Sequence, residues 1–214
     1  MLAAGANVNI YMFFGGTNFG FTAGANDWGT GKYMADITSY DYDAIMDESG
    51  DPTKKYHLIR DVIKKYINVS LDHPTPSVSA KMVLPSIPLV VLGELLSSKG
   101  RQYLGRDDDA NISKPIKSVH PLTFEQLNQY SGLVLYETLL PTITIDPSVL
   151  TVGDLRDRAV VFIDNKLVGI LSRENAITKL PIQAGVGNIL QILVENQGRI
   201  NFNNTNDIKV CKFC

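Results

Sequence analysis

The sequence predicts an α/β unit followed by an all-β domain. Three observations predict it: an aromatic and β-branched run that ends at a glycine pair, a helix with a one-sided apolar face, and a string of short β-rich runs from residue 117 onward. The 214 residues suffice for one large domain or two smaller ones. With 20 basic and 22 acidic side chains the formal charge is -2, which offers no electrostatic footprint to nucleic acid or an anionic membrane. No stretch approaches the roughly 18 apolar residues of a spanning helix.

Residues 7–14, NVNIYMFF, suit a buried strand that delivers a loop at Gly15-Gly16. That loop, Gly15 to Asp36, carries Gly, Asn and Thr throughout, which permits close backbone approach. Its opening GGTN lacks the Lys-Ser/Thr ending of a phosphate loop, so Asn18 is expected to bond loop backbone instead. In SYDYDAIMDESGDP (39–52) the last two residues signal a helix start, with Asp51 as N-cap and Pro52 at the first helical position. Ile59, Val62, Ile63, Tyr66 and Ile67 then recur at spacings of three and four, predicting a surface helix over about 52–67. One β/α unit cannot bury its own apolar face, so further elements are expected before it.

From 68 to 116, Pro74, Pro76, Pro85, Pro88 and Pro115 punctuate one apolar run at 82–96, which predicts a connecting region with a strand or two. Beyond it, GLVLYETLL (132–140), RAVVFIDNKLVGIL (158–171), AITKLPI (176–182) and NILQILVENQGRINF (188–202) are short strands in a sandwich or jelly-roll pattern. Asp164-Asn165 is the expected hairpin turn.

Paired carboxylates invite a catalytic reading. Asp41 and Asp43, at i and i+2 of an extended segment, share one side, and the same alternation puts Tyr40 and Tyr42 together on the other. Such neighbours more often form a solvated edge or cap loop N–H groups. Asp47, Glu48 and Asp51 lead into the helix start, where negative charge meets the dipole favourably. The cysteines, Cys211 and Cys214, are expected to form a local disulfide or a frayed tail. The three histidines show no ligand spacing to them, so no metal is expected. Sequons at Asn68, Asn111 and Asn203 point to a glycosylated, secretory-route protein whose targeting segment is missing from this chain.

Three stretches together, GANVNIYMFFGGTNFGFTAGAN (5–26), TSYDYDAIMDESGDPTKKYHLIRDVI (38–63) and ILVENQGRINF (192–202), resemble the β-galactosidases of glycoside hydrolase family 35. The resemblance implies a TIM barrel followed by two galactose-binding-like β-domains. On that layout residues 1–66 are the C-terminal remnant of a TIM (β/α)8 barrel, its last β/α unit. Residues 67–116 are a linker, and 117–214 are most of the first jelly-roll β-sandwich. The implied activity is release of terminal β-galactose from glycoconjugates with retention. In the family both catalytic glutamates lie on earlier barrel strands, so the resemblance implies no catalytic residue here and an isolated chain without activity. Tyr42 matches a family tyrosine that contacts galactose, and Tyr40 and Tyr11 match others lining the same pocket. Those loops follow a barrel strand, where the active sites of such barrels lie. Trp28 is a further candidate for stacking on sugar. The resemblance also implies β-galactoside glycans as ligands, no cofactor, a lysosomal or secreted location, and in the full-length family an assembly of identical subunits. The competing expectation is a non-catalytic carbohydrate-binding or scaffolding module.

Overall fold

The computed structural model describes residues 1–28, 32–68, 70, 73–101, 115–141, 147–202 and 207–209. In chain order its strands and α-helices are β1 (Gly24–Asp27), β2 (Tyr33–Ala35), α1 (Lys54–Tyr66), α2 (Ser98–Arg101), β3 (Gly132–Leu139), β4 (Ser148–Thr151), β5 (Arg158–Ile163), β6 (Lys166–Ser172), β7 (Lys179–Ile182), β8 (Ile189–Asn196) and β9 (Arg199–Phe202). Contacts divide the chain into two units that do not follow sequence order. One joins Met1–Phe19 to Asp36–Ile87, and the other joins Gly20–Ala35 to the chain from Pro88 onward.

Period-two alternation builds the second, β-rich unit. Along β5 the residues Ala159, Val161 and Ile163 turn inward, and along β8 Leu190, Ile192 and Val194 do the same. These strands are central in a four-stranded antiparallel sheet of order β3-β8-β5-β6. Leu150 of β4 and Ile182 of β7, a separate antiparallel ribbon, bury against the same apolar cluster, as does Phe124 from the turn preceding β3. The β5–β6 hairpin closes at Asp164-Asn165, both at positive φ (46° and 63°), the backbone demanded by a two-residue turn that matches strand twist. Asp164 fixes this turn by accepting the Ile189 N–H at 2.8 Å. Gln191, fully buried, is satisfied by Asn165 at 2.6 Å and Glu137 at 3.1 Å.

A third sheet, of order β2-β1-β9, is partly foreign to this sequence neighbourhood. β1 and β2 come from the loop after Gly15, and β1 runs parallel to β9. Beside it lies a buried charge cluster. The Lys209 ammonium donates to Asp157 (2.8 and 3.0 Å), Asp207 (2.7 Å) and the Gly198 carbonyl (2.6 Å). Arg173 donates to Asp157 at 2.8 Å and Asp207 at 2.9 Å, so two acids face two bases out of water. Burial acts to raise the Asp207 carboxyl, but Lys209 and Arg173 prevail and hold it below the usual range.

In the first unit several expectations fail for definable reasons. Residues 7–14 form no strand: Phe14 makes one parallel bridge to Met46, and Tyr11 and Phe13 stay exposed. A strand needs a partner edge along its length, and among the described residues this run is paired at that bridge only. Asp51 is not the helix N-cap. Pro52 bridges Met46, and the Thr53 N–H donates to the Ile45 carbonyl at 3.2 Å, which holds 52–53 extended, so α1 starts at Lys54 with Thr53 as N-cap. No residue of α1 is fully buried, and Val62 and Tyr66 keep open an apolar face that the sequence pattern expected to be covered. Residues 82–94 also carry no strand; Met82, Val83, Leu84, Leu89, Val90, Val91 and Leu92 are exposed. Pro85 and Pro88 remove donors that a ladder would require. The sequons at Asn111 and Asn203, and Cys211 and Cys214, lie outside the described residues.

Candidate functional site

The tyrosines expected at a site gather around one turn of the first unit. Residues 16–18 and 38–40 pair antiparallel: the Tyr40 N–H donates to the Gly16 carbonyl at 3.0 Å and the Asn18 N–H to the Thr38 carbonyl at 3.1 Å. The Asn18 amide donates to the same carbonyl at 3.2 Å, the backbone role its position suggested. At Gly15 a side chain is impossible, because a Cβ would lie 2.3 Å from the Asp41 carbonyl oxygen. Glu48 braces the pair from outside, accepting the Thr17 hydroxyl on one carboxylate oxygen and the Ser39 hydroxyl on the other.

Tyr40 and Tyr42 do not share a side as strand alternation predicted. The chain turns at Tyr42-Asp43, and the Asp41 carboxylate caps that turn by accepting the Asp43 N–H at 2.9 Å. Tyr40 therefore faces Tyr11, edge to face with centroids 6.3 Å apart, while the Tyr42 hydroxyl meets the Thr38 hydroxyl. All three rings are solvent-accessible, Tyr42 at 81% and Tyr11 at 78% exposure. The hydrogen bond with Tyr11, with the Tyr11 charge second, pushes the Tyr40 phenol up, so Tyr40 stays protonated and able to donate.

The acids are individually engaged. Asp41 caps the turn, and Asp43 pairs with Lys55 of α1 at 2.5 Å. Asp47 accepts the N–H groups of Ser49 and Asp51, both at 2.9 Å. Asp51, nearly buried, accepts the Lys81 ammonium at 2.5 Å and both the N–H and hydroxyl of Ser79 at 2.7 Å. Lys81 first, then the Ser79 N–H, holds its carboxyl well below the usual carboxylate range. Its work is to clasp residues 79–81 onto the loop before α1. Glu48, Thr38 and Lys55 are the bracing residues that spacing alone could not reveal, since each acts across the turn rather than along a periodic face. Trp28 belongs to the other unit, its ring 5.4 Å from that of Phe202. The ENQGRINF residues are structural: Asn196 donates to the Tyr130 carbonyl at 3.0 Å and accepts the Gly198 N–H, and Arg199 pairs with Glu125. Among the described residues no helix is long and apolar enough to cross a membrane.

Two family models match the chain in order. Glycosyl hydrolases family 35 covers residues 1–66, and the first all-beta domain of beta-galactosidase covers 121–211. The Bos taurus beta-galactosidase is 44% identical across 98% of this chain, and the Homo sapiens beta-galactosidase is 42% identical across 94%. A beta-galactosidase-1-like protein of Mus musculus is 41% identical across 98%. The chain spans about 30% of the length of these curated relatives. Two matched segments in order, with this identity across nearly the whole chain, show that the polypeptide resembles part of a β-galactosidase, its residues 1–66 matching glycosyl hydrolases family 35.

Proposed function

We propose that this chain is part of a β-galactosidase that removes terminal β-galactose from glycoconjugates with retention of configuration, and that its contribution is one aromatic wall of the sugar pocket. Tyr42 contacts galactose, with Tyr40 and Tyr11 beside it. Residues 1–66 are then the last β/α unit of a TIM barrel, and 117–214 most of a galactose-binding-like jelly roll. The observation that carries this reading is the tyrosine turn: exposed phenol rings, locked from behind by Gly15, Asn18 and Glu48, on the segment matched by the hydrolase family. A phenol offers a flat apolar face to the C–H side of a sugar and one hydroxyl that donates or accepts.

Chemistry assigns the bond-breaking acids elsewhere. Retention takes a nucleophile and an acid/base carboxyl about 5–5.5 Å apart across the scissile bond. Asp41 is committed to its turn and Asp43 to Lys55, so neither carboxylate is placed for that work. In this reading both catalytic carboxyls belong to other strands of the barrel, and the chain alone is inactive. The open apolar face of α1 and the exposed Val8, Ile10 and Phe13 support a barrel remnant, being surface that neighbouring strands and helices cover. Asn68, exposed at the end of α1, suits glycosylation and a secretory-route destination, lysosomal or extracellular.

A chimera tests the reading. Residues 1–202 of this chain replace the matching part of the human β-galactosidase, and Tyr42→Ala is introduced. The expected result is a loss of kcat/KM on a chromogenic β-galactoside of roughly a hundredfold, about 2.7 kcal/mol of transition-state stabilisation. Tyr42 is exposed and carries no core contact, so circular dichroism should be unchanged. A loss under twofold in a folded, active chimera overturns the assignment.

A further inference from the structure

The segment between the two halves of the tyrosine turn does not stay with that turn. The chain leaves the first unit after Phe19 and re-enters it at Asp36, and all of Gly20–Ala35 belongs to the β-unit. Three features fasten it there. β1 pairs parallel with β9, Gly24 opposite Arg199 and Ala25 opposite Ile200. Gly198 packs so closely that a Cβ would lie 2.4 Å from the Gly24 carbonyl oxygen and 2.7 Å from that of Ala23, so only glycine admits the approach. Tyr33 of β2 is 1% exposed, its hydroxyl donates to the Gly198 carbonyl at 2.7 Å, and its ring lies under the Arg173 guanidinium at 4.2 Å and the Lys209 ammonium at 5.2 Å. Burial, with Asp157 next, pushes the phenol upward and keeps it a donor.

We infer that residues 20–35 are an arm through which the β-unit sets the register of the tyrosine turn, with Tyr33 as its positioning residue. The two segments that carry the turn, 16–18 and 38–40, flank this arm, separated from it by no more than two residues on either side. Among the described residues two backbone hydrogen bonds join them, and Thr38 and Tyr40 are exposed, so their independent stability is low. Holding both ends of the intervening segment shortens the loop that their pairing has to close, which lowers the entropic cost of closing it. The β-unit thereby acts on Tyr40, and through Thr38 on Tyr42, without touching sugar. The inference that this positions a sugar-binding site rests on the function proposed above; the mechanical coupling does not.

Amide hydrogen exchange on the whole 214-residue chain tests the coupling, comparing the unaltered protein with Tyr33→Phe and Tyr33→Ala. Tyr33→Phe keeps the ring under Arg173 and loses only the donor; Tyr33→Ala loses both. The expected result is faster exchange at the Asn18 and Tyr40 amides, about tenfold or more in Tyr33→Ala and less in Tyr33→Phe, while β3 and β8 exchange as before. If β1 and β2 loosen and Asn18 and Tyr40 do not, Tyr33 is merely structural and the inference fails. If β3 and β8 also loosen in Tyr33→Ala, the decision falls to Tyr33→Phe under the same two criteria. No sugar enters this measurement, so its failure and that of the Tyr42 assignment are distinct.

Discussion

Replacing Lys209 with methionine should destabilise the β-unit by about 3–5 kcal/mol, seen as a lowered midpoint in denaturant with its slope unchanged. Methionine fills the volume, so the loss is electrostatic. Asp157 and Asp207, at 0% and 3% side-chain exposure, are left with Arg173 between them and, for Asp207, the more distant Arg156 at 3.5 Å. Removing one of the two acids as well, in Lys209→Met with Asp207→Asn, should recover part of the loss, because the buried charges are again balanced. Acid provides an independent arm. The Asp207 carboxyl is held below its unfolded value of about 3.9, so its contribution is fully present above that pH and is lost as pH falls through the lower folded value. The gap between the native protein and Lys209→Met should persist at pH 5 and narrow at pH 3. A gap independent of pH, with no recovery in the double variant, contradicts this account of the cluster.

Phe124→Ala should cost about 3–5 kcal/mol, the upper range for truncating a buried aromatic ring. Phe124 has no exposed surface and packs into the cluster formed by β4, β5, β7 and β8. Its backbone is equally engaged: its N–H donates to the Lys209 carbonyl at 2.9 Å and its carbonyl accepts the Gln129 N–H at 2.8 Å. Those bonds fix the ring's place, so the surroundings cannot easily collapse into the cavity. Phe124→Leu, keeping part of the volume, should cost clearly less. Thermal or chemical unfolding followed by near-ultraviolet dichroism measures both, and equal losses would show that the site relaxes around the missing ring.

The parts of the fold that depend on local chemistry were legible in the sequence. Asp164-Asn165 announces its hairpin because both residue types tolerate positive φ, and the inward residues of β5 follow directly from alternation. The parallel pairing of β1 with β9 joins segments far apart in the chain and leaves no periodic trace, so the loop after Gly15 reads as irregular. Asp51-Pro52 shows how one dipeptide supports two outcomes. The local signal for an N-cap is sound, yet Pro52 pairs with Met46 and the Asp51 carboxylate is claimed by Ser79 and Lys81. At the candidate site, residue types were legible and arrangement was not. Tyr11, Tyr40 and Tyr42 are exposed around one turn, but the Asx-capped bend at Asp41–Asp43 breaks the alternation that would have set Tyr40 beside Tyr42.

The central claim is that this chain lines a galactose pocket without holding the acids that cleave the glycoside. The direct measurement is hydrolysis of a chromogenic β-galactoside by the purified 214-residue chain. The account predicts no release of chromophore above a buffer blank at any pH between 4 and 8. Turnover that disappears on combining Tyr42→Phe with Asp43→Asn would contradict it.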